Sequence, residues 1–457
     1  MAGIEQTRGN WGSKIGFILA ASGSAIGLGN IWRFPFVAGQ NGGAIFVFFY
    51  IIFVIIIGLP ILISEFTIGR NTQKNPVGAF ERLSPGTRWK LVGGLGIVMS
   101  IGVLSFYALI AGLAVGYFLK ILLGDFTGIT TGAQSDQIFS LFTSNPLVTI
   151  GLLLVFLLVT ALVVIRGVSG GIEKISKILM PTLFLLLIVL AIYSVTLEGA
   201  KKGLEFYFKP DFSKITVTTF AQALGQALFS LGAGACVMIT YGSYVSRRDN
   251  LFKSAVTICF FDTIIAILAG LIIFPALFAM GMNPAQGPAL IFVVLPSIFA
   301  KMPAGIIFGA GIFLLISLAA LTSTISVLEV PVSYFVDERN WSRKKATLVI
   351  GSTVFIVGIP SALSMGAVRW LSNLPFLGMR FVEMMNILFG NYLLTIGAFF
   401  IAVFVGYKWG IKEAVKEIEQ QGNIFNFKAL WSFSIRFICP VAIAIILGYI
   451  IITKNYF

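Results

Sequence analysis

Histidine is absent from this chain of 457 residues, which excludes imidazole metal sites and imidazole general-base chemistry. Cysteine is scarce: Cys236, Cys259 and Cys439 lie in apolar stretches and read as small core residues, not as a disulfide framework. Charge is scarce too. Only 11% of residues are Asp, Glu, Lys or Arg against 58% hydrophobic, and mean hydropathy is +0.97. Such a composition excludes a water-soluble domain and defines a polytopic membrane protein in a lipid bilayer. Acids are outnumbered, 18 against 32 bases. There is no basic tail and no interleaving of bases with aromatics, so no nucleic-acid partner is expected. With no paired acids and no thiol in polar surroundings, no enzyme activity is expected either, and no obligate protein partner is evident. The head of the chain carries Arg8, Trp11 and Lys14 without a small-residue cleavage site, so the first apolar span is expected to be retained.

What is present is a series of apolar windows long enough to cross a bilayer. They fall at 15–37, 43–69, 89–123, 146–165, 172–197, 219–245, 254–281, 305–335, 346–364, 379–407 and 430–452, which makes eleven spans of an all-α fold. With the N-terminus inside, 22 of the Lys and Arg residues fall on the cytoplasmic side and 9 outside, so the C-terminus is expected outside. Among the outer loops, 282–304 carries Pro284, Pro288, Pro296 and Pro303 and reads as a folded-back cap or as packing filler.

Residues 22–36, SGSAIGLGNIWRFPF, break the pattern of a lipid anchor. Glycines 23, 27 and 29 let the backbone leave helical geometry. Unwound backbone survives at membrane depth only inside protein or against a water-filled cavity. Arg33 there either snorkels to the outer interface or marks a pathway. The sixth window has a counterpart, FSLGAGACVMITYGSYV, in which Ser230, Gly232 and Gly234 interrupt the helix. Each break opens a block of five spans, one to five and six to ten. Glycine-interrupted spans at matching positions in two halves point to a midplane binding site between inverted repeats. A single transporter domain is expected, with repeats over 15–197 and 219–407 and an added span at 430–452.

The freed half-helix N-termini suit a carboxylate, and freed carbonyls suit a cation or an ammonium group. Oxygen donors stand in the same spans: Asn30, Ser230, Asp262 and the run Thr322, Ser323, Thr324. Asp262 is either a cation ligand or a protonated or structurally paired acid. The Thr/Ser run either binds a cation or bonds back to its own helix. Glu65 reads as an acceptor for loose N–H groups of an unwound segment, and Tyr107 as a packed tyrosine or a ligand.

GSAIGLGNIWRFPF, supported by NGGAIFVFFY, PILISEFTIGR, FSLGAG, ITYGSYV and LTSTIS, resembles the neurotransmitter:sodium symporter family, in its bacterial branch, over nearly the whole chain. The resemblance implies sodium-driven uptake of amino acids by alternating access through a bacterial inner membrane. It implies two Na+ ions. One would be held by Ala25, Asn30, Ser230 and Asp262 with the substrate carboxylate, the other by carbonyls of Gly23, Ile26 and Ala319 with the hydroxyls of Thr322 and Ser323. The substrate carboxylate would meet Leu28, Gly29 and Tyr107, and its amine Ala25, Phe229 and Ser230. Phe229 would be the lid, Arg33 part of the outer gate with Glu383 or Asn386 as its open partner, and Arg8, Trp11 and Asp337 the inner gate. Gly171 and Pro181 match a motif tied to unwinding of the fifth span. No acid stands at Gly27, so the substrate brings its own carboxylate. Val103, Gly232, Ala235, Ser323 and Val327 would leave a roomy apolar cavity for hydrophobic, aliphatic or aromatic L-amino acids. Asp262 supplies a negative charge of its own, so no chloride requirement is expected. The rivals are proton coupling through Asp262 on the same scaffold, and a non-transporting amino acid receptor.

Overall fold

The computed structural model describes residues 9–129, 131–282, 291–300, 302, 304–375, 377–454 and 456. Arg8 and the prolines 284, 288 and 303 lie outside the described residues. Helices and their connections account for the described chain, with no strand among the described residues.

Among the described residues, nine helices are long and apolar enough to cross a membrane. They are Ala44–Thr72 (span two), Lys90–Leu122 (three), Pro146–Ile165 (four), Val168–Val195 (five), Leu251–Ala279 (seven), Gly305–Arg339 (eight), Arg343–Leu363 (nine), Phe381–Ile418 (ten) and Lys428–Thr453 (eleven). Span one is a pair, Lys14–Ala25 and Gly29–Gln40, bent by 49°. The sixth window of the sequence, 219–245, is not one continuous helix. Its halves are Val217–Ser230 and Val237–Gly242, separated by a stretch in which Gly232, Gly234 and Cys236 take left-handed backbone angles. A right-handed helix cannot run through such residues.

The helix starts follow from local chemistry. Ser13, Thr216, Asn250 and Ser342 each accept, through a side-chain oxygen, a backbone N–H of the first turn they open. Between helices, glycine permits close approach. A β-carbon on Gly69 would lie 2.1 Å from the Ile239 carbonyl oxygen, and one on Gly242 would lie 2.9 Å from that of Phe66. Spans two and six therefore cross backbone to backbone. Spans three and eight pack along their length, spans four and nine lie against them, and span eleven rests on span ten at the periphery.

Two buried carboxylates, Glu417 and Glu329, are paired with arginines. Arg70 at the end of span two donates to Glu417 at 2.7 Å and to the Asp249 carbonyl at 2.6 Å, and Asn71 donates to the other Glu417 oxygen at 2.9 Å. Glu329 of span eight accepts from Tyr244 at 2.8 Å and from Arg343. Charges removed from water persist when paired and hydrogen-bonded in this way.

Candidate functional site

The two broken spans meet at one carboxylate. Asp262 is buried in span seven, where an unpartnered charge would be expensive. Its Oδ1 accepts from Asn30 Nδ2 at 2.8 Å, and both its oxygens lie 2.9 Å from Ser230 Oγ. Its Oδ2 accepts from Tyr50 Oη at 2.9 Å. Asn30 Nδ2 also reaches the Asp262 carbonyl at 3.0 Å, and Asn30 Oδ1 accepts the Gly27 N–H at 3.3 Å. Asn30 stands just after the break in span one, and Ser230 just before the break in span six. The arrangement draws both breaks to one carboxylate that accepts from an amide and two hydroxyls; the oxygens these neutral groups carry are of the kind that suits a hard monovalent cation.

A second group of oxygens lies between spans one and eight. Ser323 Oγ is 3.2 Å from the Ser24 carbonyl, 3.4 Å from that of Ile26 and 3.3 Å from that of Ala319. Thr322 Oγ1 donates to the Ala319 carbonyl at 2.8 Å. Thr322, Thr324 and Ser326 bond back within span eight, whereas Ser323 also bridges to the frayed end of span one's first half. Gly23 faces this group: a β-carbon there would lie 3.1 Å from Thr322 Cβ and 3.0 Å from Met180 Sδ.

Beside these groups the break in span one exposes backbone. The Leu28 N–H donates to Tyr107 Oη at 2.8 Å, so the loose amide is held by a neutral hydroxyl that an incoming carboxylate can replace. A β-carbon on Gly27 would lie 2.4 Å from Tyr107 Oη and 2.5 Å from Ser323 Oγ, which leaves no room for an acidic side chain. Phe229 packs on Gly29, where a β-carbon would sit 3.0 Å from two carbons of its ring. Gly232 opens onto free space, with nothing within 4 Å of a β-carbon built there. Ala25, Leu28 and Ala235 are buried around the same breaks, and Val103, Val327 and Phe229 pack against one apolar cluster that includes Ala235.

The residues expected to form gates separate into two ends. At one end, the Arg33 guanidinium lies 4.1 Å from the centroid of the Phe229 ring, a cation–π geometry. Glu383 accepts the Arg380 N–H at 3.0 Å and so serves the start of its own helix. At the other end, Trp11 Nε1 donates to the Tyr241 carbonyl at 3.1 Å, and the Trp11 N–H to that of Tyr244 at 3.4 Å. Asp337 accepts from the Asn75 amide at 2.9 Å. Gly171 lies in a widened π-helical turn, Val168–Glu173, and Pro181 sits inside a continuous helix, so span five is wound here. Glu173 of that turn accepts from the Gly12 N–H at 2.6 Å and from Ser13 Oγ at 2.8 Å.

Two side chains escaped the sequence reading. Tyr50 completes the shell of Asp262; its signal was a hydroxyl inside the apolar run NGGAIFVFFY. Gln226 Nε2 donates to the Gly29 carbonyl at 2.8 Å, tying span six to the break in span one; its signal was an amide one turn before the FSLGAG break.

Fold and site together describe a helical membrane transporter with a central site for a small molecule. The model of the sodium:neurotransmitter symporter family matches residues 8–130 and 138–456, and the chain belongs to that family. It is 40% identical over 443 residues to an uncharacterized sodium-dependent transporter, YhdH, of Bacillus subtilis, covering 97% of both chains. It is 35% identical to an uncharacterized sodium-dependent transporter of Haemophilus influenzae, covering 96% of this chain and 97% of the relative. The crystal structure of MhsT in complex with L-phenylalanine superposes with a TM-score of 0.88 at 43% identity, over 96% of this chain and 99% of that one. Members of this family are transporters, not enzymes.

Proposed function

We propose that this protein is a sodium-coupled symporter of hydrophobic L-amino acids, aliphatic and aromatic, working by alternating access. The observation that carries the reading is the convergence of Asn30, Ser230 and Asp262, one group from each broken span and a carboxylate between them. A bound amino acid adds its carboxylate to the same cluster, so cation and substrate each raise the affinity of the other. Two Na+ ions are carried, the first at Ala25, Asn30, Ser230 and Asp262, the second at Gly23, Ile26, Ala319, Thr322 and Ser323. The crowding around Gly27 supports substrates that bring their own carboxylate, and the open space at Gly232 supports large apolar side chains. That MhsT has been crystallised with L-phenylalanine supports the same substrate class. The fixed charge of Asp262 replaces chloride.

Spans one, two, six and seven rock as a bundle against the rest, with Gly171 and Pro181 as the point where span five loosens. Met180 beside Gly23 supports coupling of that loosening to the second ion group. The excess of Lys and Arg on one side supports an N-terminus in the cytoplasm of a bacterial cell and a C-terminus outside.

Uptake of labelled tryptophan and leucine into proteoliposomes, under separately imposed sodium, potassium or proton gradients, tests the reading. Accumulation of both under sodium alone, unchanged by removing chloride and about 100-fold lower or less in Asp262→Ala, is the expected result. Accumulation under a proton gradient alone overturns the ion assignment, and binding without accumulation makes the protein a receptor.

A further inference from the structure

Span ten contributes a wall to the site that the motifs do not mark. Its stretch Asn386–Leu393 is π-helical, a local widening that turns residues out of register and recurs at functional sites. Two consecutive residues of that stretch face two different walls of the central space. Phe389 lies on span three: a β-carbon on Gly102 would meet three of its ring carbons at 2.3 to 2.4 Å. Gly390 lies on the lid: a β-carbon there would sit 3.4 Å from the Phe229 ring. Phe389 packs against the same buried cluster as Val103, Phe229 and Val327. All four keep part of their surface exposed, while Met99 and Val330 behind them are closed off at 1% and 0%. Apolar side chains on four different spans that share one buried backing and each retain a free face surround a common space.

We propose that Phe389 is a specificity-determining wall of the amino acid pocket, and that Gly102 positions it. This rests on the transport function proposed above. The ring occupies the place that the bare α-carbon of Gly102 leaves open. Any side chain at 102 drives the ring toward the space shared with Val103 and Val327 and shortens it. Truncating the ring lengthens that space. The ligand class is the apolar side chain of an amino acid, and the ring sets how large a side chain is accepted.

The test is proteoliposome uptake of tryptophan and leucine by the full-length wild type, Phe389→Ala, Phe389→Leu and Gly102→Ala, read as the ratio of kcat/KM for the two substrates. Phe389→Ala is expected to raise the tryptophan-to-leucine ratio about tenfold, and Phe389→Leu to raise it by less. Gly102→Ala is expected to lower it about tenfold. A merely structural role would scale both substrates alike. Ratios within about twofold of the wild type in Phe389→Leu and Gly102→Ala therefore overturn the proposal while leaving the transport function intact. Absence of amino acid uptake by the wild type under every gradient overturns the transport function, and this assignment with it. If Phe389→Ala does not fold, Phe389→Leu, which keeps the packing volume apolar, decides.

Discussion

Spans one and six are both broken midway along their length, and they are broken differently. In span one the helix stops at Ala25 and resumes at Gly29 with right-handed or extended angles between: Ile26 has φ −79° and ψ 99°, and Leu28 has φ −57° and ψ −27°. Its loose N–H groups go to neutral acceptors, the Tyr107 hydroxyl and the Asn30 amide oxygen. In span six the break is longer and left-handed at Gly232, Gly234 and Cys236. Its loose N–H groups go to a carboxylate: Glu65 accepts from Gly234 at 2.7 Å and from Met238 at 3.2 Å. A charged acceptor inside protein is the stronger partner. The two breaks therefore have different duties. Span six is held open by a carboxylate, whereas span one is held by neutral groups, the weaker tie.

The largest effect expected from that difference is on stability. Glu65→Ala leaves two buried amides without acceptors, a loss of ~2–3 kcal/mol or more. The midpoint of thermal unfolding in detergent is expected to fall by several degrees. Glu65→Gln, whose amide retains one acceptor oxygen, is expected to fall in between. An unchanged midpoint in Glu65→Ala would mean that the second break is no more firmly held than the first, and the contrast would collapse.

A smaller effect lies in the backbone itself. Cys236 is a residue with a β-carbon at φ 59°, a conformation that costs ~1–2 kcal/mol outside glycine. The packing around it is tight: a β-carbon on Gly96 would lie 2.7 Å from both its Cβ and its Sγ. Cys236→Val places a branched carbon where such residues are outliers and is expected to lose ~2 kcal/mol in the same unfolding assay. Cys236→Gly gains backbone ease and loses the sulfur's contacts, and is expected to stay within about 1 kcal/mol of the wild type. Ile26→Val at the extended position of the first break is expected to be mild, about 1 kcal/mol. Equal losses in Cys236→Val and Ile26→Val would show that handedness does not separate the two breaks.

How much of this was legible in the sequence divides along the same line. The break in span one is written in its residues, because glycines, an amide and a guanidinium in an apolar window make a poor lipid anchor. Glu65 was readable as an acceptor for unwound amides, and the structure pairs it with Gly234 and Met238. The left-handed angle at Cys236 was not readable, since cysteine in an apolar run signals only a small core residue. Tyr50, Gln226 and Phe389 were missed for a shared reason: each meets a partner on another span, Asp262, Gly29 and Gly102 respectively. Hydropathy locates spans along the chain and does not carry the rotation that aims a side chain across the bundle. The same limit left the outer gate open. Glu383 and Asn386 of span ten stood as open partners for Arg33, and the guanidinium also lies against the Phe229 ring. An aromatic ring carries no formal charge, so a search for a complementary acid passes over it.

The smallest stability effect is the one that isolates the first break. Tyr107→Phe removes the acceptor of the Leu28 N–H together with the hydroxyl's bond to Ser323, and keeps the ring. The single amide set free lies beside the proposed substrate space, where water can take it up, so the loss stays near that of a neutral hydrogen bond, ~0.5–1.5 kcal/mol, and the unfolding midpoint is expected to move little. The amino acid substrate, by contrast, loses a hydroxyl donor to its carboxylate, and a charge-assisted bond is worth about twice a neutral one. KM for amino acid uptake in proteoliposomes is therefore expected to rise about tenfold. Small change in stability with a large change in KM is the signature of an acceptor that exchanges its partner. Glu65→Gln is expected to give the reverse, a clear loss of stability with KM within a few fold. If Tyr107→Phe instead destabilises as much as Glu65→Ala and leaves KM unmoved, the hydroxyl is a fixed prop and span one is locked in the same manner as span six.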